Sequence, residues 1–229
     1  MTAMAETGPS VNAVEEAYRH CEQLVRTYDK DRFLASLYAP VERRRFLFAL
    51  YAFALEIGRV QRIVREPMAG MIRLQWWLEA IAGLRAEEAA ASPVMLALQD
   101  ASRQTGVALA PLTAAIEARQ AELSGAAPIG AASAVFEMGA HFLAPDADVQ
   151  AVAAEAANAV TFVAEPRDPV KAKEGYRAFR KDLATIPEGT LPVFLTVALV
   201  PLLLKQPAAA QWRRQLALLR AAYFGFPEL

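Results

Sequence analysis

Apolar positions in this chain recur in steps of three and four, with prolines and glycines at the breaks. The clearest run follows Pro40, where Phe46, Leu50, Phe53, Ile57, Val60 and Val64 fall on one stripe of a helix. The next segment, Met68 to Leu84, is apolar on more than one side through Met71, Ile72, Leu74, Trp76, Trp77, Leu78 and Ile81. Such a helix belongs in a core. Only Arg65-Glu66-Pro67 separates the two, so they are expected to fold back on each other as the centre of the fold. Carried along the chain, the pattern predicts helices near 11–29, 41–64, 68–85, 94–104, 111–123, 131–143, 147–164, 169–185, 190–204 and 208–223. Pro40, Pro67, Pro93, Pro111, Pro128, Pro145, Pro169 and Pro207 stand at or near starts and breaks, where a missing N–H costs little. No segment combines sustained alternation with β-branched enrichment, so no sheet is expected. The reading is all-α: a single-domain bundle of about ten helices over 11–229, behind a flexible N-terminus, 1–10.

Composition narrows the function classes. The chain has 229 residues, 55% of them hydrophobic, and a net charge of −1. It is too apolar for a disordered chain and lacks the positive excess of a protein held to nucleic acid by counterion release. The single cysteine, Cys21, excludes an internal disulfide and fits a reducing compartment. Met1 to Ser10 shows neither a basic start nor an apolar run, so no secretory leader and a cytoplasmic location are expected. The longest apolar run, Leu191 to Leu204, is broken by Pro192, Thr196 and Pro201 and falls short of the roughly 20 residues a bilayer demands. It reads first as a buried helix. The second reading rests it on a membrane surface, because it ends in Lys205 and Gln206, which would place the protein peripheral to the inner face of the membrane.

Most catalytic motifs are missing. There is no glycine-rich phosphate loop, no His-Glu-x-x-His and no Cys-x-x-Cys. His20 adjoins Cys21, but neighbours on a helix point about 100° apart and do not face each other.

The order of residues from Asp31 to Trp77 is more specific. Pro40 is followed by Arg44, then by Ala49-Leu50-Tyr51-Ala52-Phe53, then by Arg73-Leu74-Gln75-Trp76-Trp77. This order resembles the squalene/phytoene synthase family, with strong motifs in 31–78 and weaker likeness over most of the chain. The resemblance implies an isoprenoid-synthase-like helical bundle. Enzymes of that family join two prenyl diphosphates head to head, using magnesium held by two Asp-x-x-x-Asp motifs on facing helices. Carboxylates at i and i+4 of one helix face reach a shared hard cation, which neutralises the leaving group.

The sequence departs from that pattern. The first aspartate motif would begin about five residues after Phe53, where Gly58, Arg59 and Arg62 stand instead. Glu56 is the only acid in the central helix, and Arg59 at i+3 is placed to pair with it. The second motif would lie in or just after 147–164, where Glu165 and Asp168 are flanked by Pro166 and Pro169. No two acids in the chain stand at i and i+4, and Leu37 replaces the family's phosphate-side arginine. Family-type magnesium binding is therefore not expected.

Two readings attach to the arginines Arg43, Arg44, Arg45, Arg59, Arg62 and Arg65. The first is a solvated face paired with Glu42, Glu56 and Glu66, and the second is direct, metal-free binding of diphosphate. The aromatic residues of 33–77 read first as core and second as the lining of an inherited prenyl cavity. Residues of a remnant pocket would be Phe33, Tyr51, Glu56, Gly58, Arg59, Arg62, Arg73, Trp76 and Trp77. Tyr51-Ala52-Phe53-Ala54-Leu55-Glu56 and Arg73 to Trp77 match best a branch of the family without the aspartates, which includes a mitochondrial assembly factor for respiratory complex I. That resemblance implies a non-catalytic protein, no cofactor, and a protein partner such as a respiratory-complex subunit. The alternatives are an active magnesium-dependent head-to-head prenyltransferase and a prenyl-lipid-binding protein without turnover.

Overall fold

A computed structural model describes residues 10–63, 66–125, 130–164, 167–187 and 189–229, leaving aside the side chains of 61–63. The expected flexible N-terminus therefore lies, but for Ser10, outside the described residues, as do Arg65, Pro128, Glu165 and Pro166. Every regular element among the described residues is helical.

The chain enters through α1 (Val11–Tyr28), where the Ser10 side chain accepts the Ala13 N–H at 3.3 Å. Asp29 ends that helix and starts the next, because its carboxylate accepts the Arg32 N–H at 3.0 Å and opens α2 (Lys30–Ser36). The periodicity had merged this junction into a loop. After Pro40 comes α3 (Val41–Ile63), followed by α4 (Pro67–Ile81), α5 (Ala86–Ala91) and α6 (Pro93–Thr105). Ser92 caps α6, and Gly106, at φ 73°, closes it. A 3₁₀ turn (Ala110–Leu112) leads into α7 (Thr113–Leu123), and α8 (Ala131–Leu143), α9 (Gln150–Val163) and α10 (Pro169–Asp182) follow.

Helix α3 is the axis of the fold. Every residue from Phe46 to Phe53 is buried, so the helix is enclosed on all sides rather than along one stripe. Its neighbours are α1, α2, α4, α6, α7 and α8. The expectation that α4 shares this central place is corrected. Helix α4 buries Gly70, Leu74, Trp77 and Ala80, mainly against α7, and leaves Met68 and Ile72 exposed. With one face covered and one open, it is an outer helix despite its apolar composition.

The run 191–204 is buried from Pro192 to Pro201 but for Thr196, with Leu202 to Leu204 half-buried, and it is not one helix. It forms α11 (Leu191–Phe194), a 3₁₀ segment (Leu195–Leu199) and α12 (Val200–Lys205). Pro201 has no N–H and its ring crowds the carbonyl four residues earlier, so the preceding turn tightens. Residues Val193 to Val200, Thr196 apart, are buried, and Phe194 stacks on Phe136 at 5.5 Å. The core therefore takes up most of the 191–204 surface that the sequence offered for membrane contact, and its end, Leu202 to Leu204, reaches the surface. Last comes α13 (Gln211–Phe224). Among the described residues no helix is long and apolar enough to cross a membrane.

Candidate functional site

Where α3 passes α7, α8 and α9, its surface thins to Ala54, Leu55 and Gly58, and a cavity of about 510 Å³ opens. Ala131 and Ala132 of α8 and Val160, Thr161 and Val163 of α9 line it. Thr196, Leu199, Val200 and Leu203 close another wall. Small side chains make the space: the same helices carrying leucines would fill it. The space between the 41–64 and 147–164 helices is therefore open.

Six charged residues share this cavity: Asp29, Asp31 and Glu122, with Arg32, Arg119 and Arg214. They stand as three pairs. Arg32 Nη1 reaches Asp29 Oδ2 at 3.4 Å, and the other oxygen of Asp29 caps α2. Arg119 Nη1 donates to both oxygens of Glu122, at 3.0 and 2.7 Å, and the Glu122 carboxylate is nearly buried. Arg214 of α13 donates to Asp31 Oδ2, and Gln211 donates to Asp31 Oδ1 at 3.1 Å. All six carboxylate oxygens thus accept a hydrogen bond from the protein. A magnesium ion needs oxygen ligands free to leave their partners for near-octahedral geometry, and these residues do not fit it. Among the described residues no group of three His, Cys, Asp or Glu is placed to hold a metal.

Gly58, where the first aspartate motif would begin, faces a cation. A Cβ built on Gly58 would lie 3.9 Å from Arg119 Nη2. The guanidinium stands in the space an acidic side chain would enter. The Nε–H groups of Arg119 and Arg214 are buried and find no acceptor among the described residues.

Of the other residues expected to form a remnant pocket, none whose side chain is described lines this cavity. Phe33 is half-buried and stacks on Phe48 at 5.5 Å. Tyr51 lies behind the wall with Arg32 over its ring at 5.2 Å, and burial keeps its hydroxyl protonated far above the usual tyrosine range. Glu56 pairs with Arg59 at 3.8 Å, and Arg59 covers the Tyr28 ring at 3.7 Å. Arg73 is exposed on α4. Trp76 donates to Glu88 at 2.8 Å, and Trp77 packs edge-on against Phe53 at 5.2 Å. Arg62 has a helical backbone, but its side chain lies outside the described residues.

The arginines after Pro40 do not converge either. Arg43 donates to the Phe142 carbonyl at 2.9 Å and Arg44 to that of Ala39 at 2.8 Å, while Arg45 reaches Glu15 at 3.0 Å and Gln104 at 2.8 Å. They are structural ties to four different neighbours. Sequence reading missed Asp31, Arg119 and Arg214. An Arg-x-x-Glu spacing signals the Arg119–Glu122 pair, but nothing local joins Asp31 to a residue 183 positions away.

A model of the squalene/phytoene synthase family matches residues 25–132. This stretch contains α2, α3 and Arg119, the elements that build one side of the cavity. Through this segment, just under half of its length, the chain is similar to the squalene/phytoene synthase family. A crystal structure of a dehydrosqualene synthase in complex with ligand superposes with a TM-score of 0.72, covering 91% of this chain and 96% of that one. At 12% identity, this likeness shows the shared isoprenoid-synthase fold.

Curated relatives carry the name NADH dehydrogenase (ubiquinone) complex I, assembly factor 6. The Bos taurus protein is 30% identical over 105 residues, 46% of this chain and 32% of its own length. The Homo sapiens protein is 28% identical over 119 residues, 52% of this chain and 35% of its own. A Drosophila melanogaster homolog is 41% identical over 64 residues, 28% of this chain and 19% of its own. The matched part thus spans about a third of each mammalian relative.

Proposed function

We propose that this protein acts without turnover, as an assembly factor in the maturation of respiratory complex I, through contact with a subunit of that complex. The observation that carries the non-catalytic half is the pairing of every cavity carboxylate with an arginine, with Arg119 facing Gly58. Diphosphate departure in this fold calls for carboxylates that hold metal, and here the carboxylates hold the protein. The assembly half is supported by the likeness to relatives named for that role. The reading places the protein in the cytoplasm.

Two measurements test it. Deletion of the gene should lower the amount of assembled NADH:quinone oxidoreductase while carotenoid and hopanoid content stays unchanged. An unchanged complex sinks the assembly role. Purified protein given farnesyl diphosphate and magnesium should release no pyrophosphate above a no-protein control, and turnover would restore the prenyltransferase reading.

The open cavity and the two unpartnered Nε–H groups favour one second reading, capture of a prenyl lipid with an anionic head. Farnesyl diphosphate without metal should then raise the melting temperature, and Arg119→Gln should abolish the shift. Trp76 and Trp77 lie away from the cavity, so their fluorescence is not a suitable reporter.

A further inference from the structure

Helix α13 has two apolar faces, and the fold uses only one. Leu218 and Ala221 are buried, and Arg214 on the same side ties the helix to Asp31. On the opposite side Trp212, Leu216, Leu219 and Tyr223 follow one another at steps of four, three and four, all exposed. At about 100° per residue these four fall within one narrow stripe pointing straight away from the core. Phe224, 86% exposed, stands at the end of the helix beside it.

The charges nearest that stripe are positive, and the one acid lining the adjoining groove, Glu228, reaches Arg180 at 3.9 Å. Helix α13 carries Arg213, Arg214 and Arg220 and no acidic residue. Arg213 and Arg220 lie together along one flank of the stripe, and Lys205 joins them across an apolar groove of about 670 Å³ floored by Pro201, Leu202 and Ala217. The ends of the stripe are Trp212 and Tyr223, residues whose amphipathic rings favour the boundary between headgroups and hydrocarbon. An apolar stripe that stands out from the surface, flanked by cations, has the features of a helix that lies in an interface plane. A second copy of this chain fits less well, because a two-fold contact would bring Arg213 and Arg220 against their own equivalents.

We infer that α13 docks this protein onto an anionic lipid surface, with Trp212, Leu216, Leu219 and Tyr223 entering the headgroup boundary and Arg213 and Arg220 pairing with lipid phosphates. Of the 191–204 run, Pro201 and Leu202 reach this surface, as the floor of the groove.

Flotation of the full chain with phosphatidylglycerol-containing vesicles tests this, with phosphatidylcholine vesicles as the comparison. Binding is expected to the anionic vesicles, to weaken with salt, and to blue-shift an emission that Trp212→Phe removes. Arg213→Gln and Arg220→Gln should each weaken binding about fivefold. Leu216→Gln with Leu219→Gln should weaken it about tenfold or more. These side chains are exposed, so each variant should keep the parent's circular dichroism and melting temperature. A folded parent that does not float with anionic vesicles overturns the inference. So does equal binding to both vesicle types that the arginine variants leave unchanged. A lipid-free dimer abolished by Leu216→Gln would assign the stripe to a second copy instead.

Discussion

Arg119 Nη2 stands 3.9 Å from where a Cβ on Gly58 would be, so a cation from α7 occupies the approach that an α3 aspartate would use. This juxtaposition gives a direct test of whether the missing acid alone separates this protein from a catalyst. Gly58→Asp should fold, place its carboxylate on Arg119, and leave pyrophosphate release from farnesyl diphosphate and magnesium at background. Magnesium-dependent turnover in that single variant would show that the remaining site is intact.

Two helical glycines should answer alanine with opposite signs. A Cβ on Gly58 meets nothing closer than Arg119, so Gly58→Ala should raise stability by about 0.5–1 kcal/mol through helix propensity. A Cβ on Gly175 would stand 2.7 Å from the Ala159 backbone N and 3.0 Å from the Asn158 Cβ, where α10 lies against α9. Gly175→Ala should therefore cost about 1–3 kcal/mol as the two helices are pushed apart. Urea midpoints at constant m-value measure both.

Glu122 is nearly buried and accepts twice from Arg119. Glu122→Leu leaves that guanidinium without its carboxylate, at an expected cost of about 1–3 kcal/mol, less than a fully buried pair because Arg119 is partly exposed. The double variant with Arg119→Met should recover part of the loss, and strict additivity would show that the pair is not coupled.

Asp31 and Arg214 join α2 to α13 across 183 residues. Asp31→Asn should loosen α13 selectively, seen as faster amide exchange over 211–224 with little change in α3. Uniform acceleration across the chain would mean that the pair supports the whole fold rather than one helix.

Stability should fall at alkaline pH. Burial pushes the Cys21 thiol from 9.0 up to about 12 and the Tyr176 hydroxyl from 10.0 up to about 12. Above pH 9 the unfolded chain releases the Cys21 proton while the folded chain keeps it. Unfolding is then favoured by about 1.4 kcal/mol for each pH unit per group until the folded group titrates. Denaturant titrations at pH 8, 9 and 10 should show the decline, and Cys21→Ala should flatten the step between 9 and 10. The same burial predicts that Cys21 reacts with a thiol reagent only as fast as the protein opens.

Much of this fold was legible in the sequence because helical periodicity is a local property. Three- and four-residue steps, with Pro40, Pro67, Pro93 and Pro169 at the starts, placed most helices within a few residues of their positions. The order of motifs from Asp31 to Trp77 pointed to the family, and the absence of aspartates at Gly58, Arg59 and Arg62 was plain in the same stretch. Local pattern failed where two signals compete within a few residues. Asp29 both ends α1 and starts α2, and Pro201 breaks an apolar run that otherwise reads as continuous.

The site was decided by tertiary structure. Of the eight residues singled out along 33–77 whose side chains are described, only Gly58 lines the cavity, because a helix turns most of its side chains away from any given space. The cavity's charges arrive from α2, α7 and α13, and their pairings set whether its carboxylates are free. Apolar composition likewise could not tell Met68 and Ile72 from Leu74 and Trp77, or Leu216 and Leu219 from Leu218. Sequence alone determined that these segments are apolar helices, and that a stretch resembling the squalene/phytoene synthase family has no aspartates at the expected positions. Which face of each helix the core would cover, and which it would leave to solvent, depended on neighbours far along the chain, since burial belongs to the packed assembly and not to the residue.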